Sequence, residues 1–192
     1  MPDSLASHRV EPLLRGRFGS PYRYAELCAS TQRLLDEHDP EGTVAVAEEQ
    51  SEGRGRLGRS WHAPARTSVL FSVVLEPPVP PPRLPELSVL AGQAVADAVR
   101  AVAGVEPTVK HPNDVLIGGR KVAGVLAESS DGRVRLGIGV NANQMKDELP
   151  SDLEMPATSL RMETGGAVDR AELLAAILAE LERAYDAWVS ET

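Results

Sequence analysis

The sequence is poor in cysteine, aromatic residues and long apolar runs, and it carries less positive than negative charge. A single cysteine, Cys28, among 192 residues excludes an intramolecular disulfide framework, and no Cys/His group has the spacing of a zinc site. A reducing cytoplasm is the expected compartment. Aromatic residues make up only 4% of the chain. The apolar stretches, Ser68 to Leu75 among them, run for a few residues only, too short for a membrane span. The start of the chain, with Asp3 and Arg9, lacks the apolar centre of a secretory signal. With 20 Lys and Arg against 28 Asp and Glu, the net charge is −8. An acidic body repels phosphate backbones, so neither nucleic acid nor a membrane is an expected partner, and an anionic ligand must be captured by a local basic cluster. The rest of the composition, 42% apolar and 25% charged, is that of an ordinary soluble protein. One domain of this length buries roughly 70% of its unfolded surface without staples.

Patterning along the chain predicts an α+β fold: a mixed, largely antiparallel sheet with helices packed mainly on one face. Residues 1–20 read as an arm with one short strand. An extended segment from Tyr22 leads to Ser30-Thr31, which would cap a short helix through Glu37, stopped by the turn Asp39-Pro40-Glu41-Gly42. Strands are expected at Thr43–Glu48 and Ser68–Leu75, separated by a polar loop over residues 50–67. A Pro-rich connection precedes an amphipathic helix from Pro85-Glu86 to Ala103, ended by Gly104. Gly118-Gly119 and Asp131-Gly132 each read as a two-residue hairpin turn, joining Asp114–Ile117 to Lys121–Glu128 and that strand to Arg133–Val140. After a loop with Pro150 and Pro156, Asp169 and Glu172 form a capping-box pattern for a last helix through Trp188. Neither half has enough strands to close a core alone, so residues 1–192 are read as one domain with its core at about 25–190.

The densest chemistry lies in the loop from Gln50 to Trp61. Gly53, Gly55 and Gly58 let the backbone turn its amides toward an anion, and Arg54, Arg56 and Arg59 add planar donors for carboxylate or phosphate. Gly53 to Ser60 also fits the phosphate-loop spacing, with Arg59 in place of lysine, but no helix follows to receive the phosphates. A solvated flexible loop would have the same composition; three arginines gathered in an acidic chain favour a ligand site. Gly137-Ile138-Gly139-Val140-Asn141 follows a strand without a helix after it, so a dinucleotide fingerprint fails. Its small residues fit either the close approach of a ligand or of another backbone.

The chain has three lysines, at positions 110, 121 and 146, and seventeen arginines. A sequence that writes nearly every cation as arginine yet keeps Lys110 at a strand end, before His111-Pro112-Asn113-Asp114, hints that a compact ammonium is wanted there. On spacing alone a solvated strand-end lysine is the commoner occurrence, and Asn113 and Asp114 are equally well explained as turn formers.

Taken together, these segments resemble the catalytic domain of biotin protein ligases, whose fold is shared with class II aminoacyl-tRNA synthetases. The family's Gly-Arg-Gly-Arg loop is similar to Gly53-Arg54-Gly55-Arg56 with Gly58 and Trp61, and its Lys-Trp-Pro-Asn-Asp motif to Lys110 through Asp114. Its Lys-x-Ala-Gly-x-Leu-x-Glu strand matches Lys121 to Glu128, and its Gly-Ile-Gly-x-Asn strand end matches Gly137 to Asn141. Ser30-Thr31 stands for the family's Ser-Thr pair, with Gln32 where asparagine is commoner, and His111 replaces the family's tryptophan.

The resemblance implies a two-step acyl transfer. The carboxylate of biotin attacks the α-phosphate of ATP to give biotinyl-adenylate and pyrophosphate; a lysine amine of a biotin carboxyl carrier domain then attacks the anhydride and releases AMP. By resemblance Lys110 and Arg56 are the catalytic cations, Lys110 bridging carboxylate and α-phosphate. Ser30, Thr31, Gln32, Gln50, Arg54, Gly55, Arg56 and Lys110 would bind biotin. Arg56, Arg59, Trp61, Lys110 and Asn141 would serve ATP. Mg²⁺ would accompany ATP, with no protein ligand assigned to it. A lipoate or octanoate ligase or transferase of the same fold and a non-catalytic biotin-binding module are the competing readings. The resemblance also allows a homodimer, and it implies neither the DNA-binding segment nor the C-terminal β-barrel found in some relatives.

Overall fold

The computed structural model describes residues 3–150 and 155–191. A short helix α1 (Ser7–Val10) and a 3-10 turn (Glu11–Leu13) open the chain and are followed by β1 (Tyr22–Cys28), β2 (Val44–Gln50) and β3 (Ser68–Leu75). Helix α2 (Glu86–Ala103) leads to β4 (Pro107–Lys110), β5 (Asp114–Ile117), β6 (Arg120–Ser130) and β7 (Arg133–Asn141), then α3 (Leu160–Thr164) and α4 (Arg170–Ser190). The strands form one sheet in the order β1-β2-β3-β7-β6-β5-β4. Only β1 and β2 run parallel; every other neighbouring pair is antiparallel. The expected α+β architecture is what the chain adopts.

Local chemistry explains the elements. All eight residues of β3 are buried, as a continuous apolar run in a strand covered on both faces should be. Gly104 ends α2 in the left-handed region at φ 65°, its N–H closing on Arg100 O. The Asp169 carboxylate accepts from the N–H groups of Ala171 and Glu172 at the start of α4. Register divides the sheet into two faces. Val46, Phe71, Val73, Leu136, Ile138 and Val125 point to one, where α2 and α4 complete the main core with Val95, Val99, Leu174, Ile177 and Leu181. A buried ion pair fastens this side. Arg170, at 0% exposure, donates to Glu48 Oε2 at 2.7 Å, Asp3 Oδ1 at 2.8 Å and Ser68 O at 2.9 Å. Glu48 Oε1 also accepts from Leu5 N–H. The N-terminal segment, β2, β3 and α4 are thereby tied at one point.

Four expectations are corrected. The first 20 residues hold α1 and a 3-10 turn where a strand was expected. The helix expected from Ser30-Thr31 to Glu37 is a single 3-10 turn, Thr31–Arg33, because Gln50 Oε1 takes both the N–H and the hydroxyl of Thr31, and the Asp39 carboxylate takes Asp36 N–H. The loop of residues 50–67 contains a small hairpin flap: Trp61 N–H donates to Gly53 O and Gly55 N–H to Arg59 O. The turn at its tip puts Leu57 and Gly58 at φ 58° and 75°. Finally, α3 follows the loop predicted around Pro150 and Pro156, capped by Ser159 Oγ, which accepts from Met162 N–H; residues 151–154 of that loop lie outside the described residues. Among the described residues no helix is long and apolar enough to cross a membrane.

Candidate functional site

On the face opposite α2 and α4 the central strands carry small side chains: Ala45 and Ala47 on β2, Ser72 on β3, Gly137 and Gly139 on β7, and Gly124 on β6. Small residues leave room, and a cleft opens over them. Ser30, Thr31, Gln32, Gln50, Arg54, Trp61, Asn113 and Lys121 wall it.

The flap covers the cleft with Trp61. A Cβ on Gly139 would stand 2.6 Å from the indole, and one on Gly124 would stand 3.0 Å from it. The ring therefore lies directly on strand backbone, and only glycine permits that approach. The indole N–H is buried without a hydrogen-bond partner. Arg54 pairs with Glu128 at 3.0 Å, and Arg56 donates to Asn113 Oδ1 at 3.0 Å. Two of the flap's three arginines are thus held against β6 and the turn before β5.

At one end of the cleft the Gln32 side chain is 4% exposed. Its Nε2 donates to Leu126 O at 3.2 Å and Arg135 O at 3.4 Å. Two carbonyl acceptors fix which way the amide points, and they leave Oε1 buried with no donor. An unpaired buried acceptor costs about 1–3 kcal/mol, a debt that a ligand N–H would settle. Beside it, Thr31 Oγ1 lies 2.7 Å from Ser72 Oγ, and Gln50 turns its amide oxygen to Thr31. Cys28, paired with Gln50 in the β1/β2 register, has its thiol pushed up to about 11 by burial.

At the other end stands Lys121, 2.7 Å from Asp114 Oδ1 and 5.6 Å from the Trp61 ring centroid. Simple alternation would put Lys121 and Gly124 on opposite faces. An irregularity in the β5/β6 ladder changes this: Asp114 pairs with Gly124 and Leu116 with Lys121, so Val122 is the extra residue and Lys121 joins the cleft face. Asn113 Nδ2 closes the arrangement by donating to Asp114 Oδ1 and Val125 O. The result is a small-molecule cleft with amide and hydroxyl groups at one end and cations at its walls, suited to a ligand with a polar neutral head and an anionic tail.

The chain is similar to known proteins. The model of the Biotin/lipoate A/B protein ligase family matches residues 24–144. The chain belongs to this family.

Among curated members of the biotin/lipoate ligase family, the bifunctional ligase/repressor BirA of Bacillus spizizenii is 39% identical over 171 residues, covering 84% of this chain and 53% of the relative. The biotin–[acetyl-CoA-carboxylase] ligase of Mycobacterium tuberculosis is 38% identical over 182 residues, covering 88% of this chain and 67% of that protein. Among solved structures, the biotin protein ligase from Aquifex aeolicus in complex with biotin and ATP superposes with a TM-score of 0.80 at 34% identity, covering 88% of this chain and 72% of the other. The chain spans about half the length of the BirA relative, and two thirds of the mycobacterial one.

The sequence-predicted ligase residues divide between the cleft and its surroundings. Ser30, Thr31, Gln32, Gln50, Arg54 and Trp61 line the cleft. Arg56 and Gly55 belong to the flap, and Arg56 is turned to Asn113; Arg59 is exposed on the flap's returning limb. Lys110 does not line the cleft. It is exposed on β4, opposite Asp114, and β4 is the edge strand two places beyond β6, about 9–10 Å away at the usual strand spacing. Asn141 is 6% exposed, and its amide is occupied: Nδ2 donates to Thr158 O, and Oδ1 accepts from Gln144 Nε2. Lys121 lines the cleft and was not among the residues the sequence pointed to. The signal that points to it is its place in the Lys-x-Ala-Gly strand, as one of only three lysines. His111 is exposed, and the His111-Pro112 peptide is cis.

Proposed function

We propose that this chain is the catalytic domain of an ATP-dependent biotin–protein ligase, forming biotinyl-adenylate and passing biotin to a lysine of a carrier domain such as that of acetyl-CoA carboxylase. One observation carries the choice of substrate. The buried, unpartnered Gln32 Oε1 asks for a ligand head that donates a hydrogen bond. The N–H groups of the ureido ring of biotin do so; the dithiolane of lipoate and the alkyl chain of octanoate do not, and would leave that oxygen unpaired at a cost in discrimination.

In this reading Ser30, Thr31, Gln32 and Gln50 hold the head, and Lys121 takes the bridging role that the resemblance suggested for Lys110. Its ammonium, released from Asp114, lies between the biotin carboxylate and the α-phosphate, offsets their repulsion and stabilises charge developing at phosphorus. A carboxylate oxygen attacks phosphorus as pyrophosphate leaves. The carrier amine then attacks the acyl carbon, loses a proton and displaces AMP. Arg54 and Arg56 exchange Glu128 and Asn113 for the oxygens of the ligand, which draws the flap over an adenylate that water would otherwise hydrolyse. Trp61 supports the nucleotide side, with Arg59 on its phosphates. Mg²⁺ would enter with ATP and help neutralise the triphosphate, with no protein ligand assigned to it. The compartment this reading implies is the cytoplasm, where ATP is abundant and a lone thiol stays reduced.

The test is incubation with Mg-ATP and either biotin or lipoate, following pyrophosphate release and labelling of a carrier domain. Biotin alone should support both steps. Adenylation only with lipoate would establish the competing reading, and biotin binding without pyrophosphate release would establish a non-catalytic module. Lys121→Ala should lower adenylation by about a hundredfold or more, while Lys110→Ala stays near the parent; the reverse order would overturn the assignment.

A further inference from the structure

The placement of Lys121 depends on a carboxylate outside the cleft. A lysine ammonium on a four-carbon stem is positioned only as well as its own main chain, and β6 is weakly held there on both sides. Toward β5 the ladder is irregular at this point. Toward β7 it has already ended, since Ala123–Val140 is the last β6/β7 pair at this end. Residues 156–158 fill that gap. Lys121 N–H donates to Pro156 O, and Lys121 O accepts from Thr158 N–H, each at 2.8 Å; the contact forms an isolated parallel bridge to Ala157. Glu163, on α3, fastens both partners of this contact. Its carboxylate accepts from the hydroxyl of Thr158 and from the guanidinium of Arg120, the latter at 2.9 Å. Thr158 is fully buried and the Glu163 side chain is only 12% exposed, while Arg120 is half-exposed, so the Glu163–Thr158 contact is the part of the junction shielded from water. Asn141 Nδ2, donating to Thr158 O at 3.0 Å, holds the same segment from β7.

We propose that Glu163 is a positioning residue for Lys121: by gripping Arg120 on one side and Thr158 across from it, it fixes the main chain from which the ammonium reaches Asp114 and the cleft. The same junction joins Lys121 to residues 156–158 and gives Asn141, which holds Thr158 from β7, a part in placing the lysine. The proposal rests on the reading of Lys121 as the bridging lysine.

Two measurements on Glu163→Gln, which keeps the size and loses the charge, test it. The first is the extent to which Lys121 is acetylated by a limiting dose of acetic anhydride, read by peptide mass spectrometry against the exposed Lys146 as internal reference. The second is adenylation, separated into kcat and KM. A Lys121 freed from its place should react more, so the Lys121 to Lys146 ratio rises. The kcat should fall by about tenfold with KM for ATP little changed. Thr158→Val, which removes one hydroxyl, should move both readouts the same way and serves if Glu163→Gln fails to fold. A folded variant with both readouts at parental values overturns the proposal. If Lys121→Ala still adenylates, the reading of the cleft falls instead; the labelling ratio then reports on positioning alone and separates the two failures.

Discussion

Gly139→Ala should lift Trp61 from the floor of the cleft. The added Cβ would stand 2.6, 2.8 and 3.0 Å from three atoms of the indole, whereas relaxed carbon contacts lie at about 3.5–4.0 Å. The ring must therefore retreat by about 1 Å, or β7 must bow. β7 is paired on both sides, with β3 and β6, while Trp61 sits on a flap fastened by a few hydrogen bonds, so the ring is the part that yields. Overpacking of this size costs about 1–3 kcal/mol, which corresponds to about a 5- to 150-fold loss in affinity for whatever the ring and floor hold together. The chain has two tryptophans, and in a Trp188→Phe background the emission reports on Trp61 alone. Its spectrum should shift to the red as the indole meets water, and biotin binding by calorimetry should weaken within the stated range. Gly166→Ala is the control, because its Cβ would meet nothing within 4 Å. Unchanged emission together with unchanged affinity in Gly139→Ala would refute the idea that the glycines exist to seat the ring.

Further outcomes follow from the same geometry. Arg170→Ala strands Glu48, at 1% exposure, without its counter-charge, and urea denaturation should show a loss of about 3–5 kcal/mol; a loss under 1 kcal/mol would mean that the hydroxyls of Ser4 and Tyr24 and the N–H of Leu5, which all donate to Glu48 Oε1, satisfy the carboxylate unaided. Cys28, with its thiol pushed up to about 11 by burial, has a thiolate fraction near 10⁻³ at pH 8, against about a quarter for an ordinary thiol near 8.5. Iodoacetamide should therefore alkylate it about 200-fold more slowly in the folded chain than in urea, and equal rates would contradict the burial. Lys121→Ala set against Lys110→Ala tests the choice of lysine, and Glu163→Gln tests how that lysine is held.

Much of the architecture was legible because it is written in local patterns. The apolar run of β3, the glycine that ends α2, the two hairpin turns and the Asp169 cap each act within a few residues. What the sequence concealed depends on contacts between distant segments. The helix expected after Ser30-Thr31 shrank because Gln50, nineteen residues on, captures Thr31. Lys121, which the sequence reading did not single out, reaches the cleft through a single inserted residue. Period-two alternation places Lys121 on the helix-covered face, and only the register slip at Val122 turns it to the cleft. Asn141 at the end of a glycine-rich strand looked like a ligand contact, yet its partners, Thr158 and Gln144, belong to a segment that local patterning left as loop. Ser30, Thr31, Gln32, Gln50, Arg54 and Trp61, expected from the resemblance to bind biotin or ATP, line one cleft because two short motifs carry them together and the sheet brings those motifs to one side.

The division of the sheet into a bulky face and a bare one has a consequence for how the chain tolerates change. Along β7, Val134, Leu136, Ile138 and Val140 serve the core, while Gly137 and Gly139 serve the cleft. Neighbouring positions therefore fail in different ways. Truncating an even-numbered residue should yield a protein that is scarce but competent, and enlarging either glycine one that is abundant but idle. Selection for abundance and selection for turnover thus act on alternate residues of the same strand, and either can be adjusted with little interference from the other.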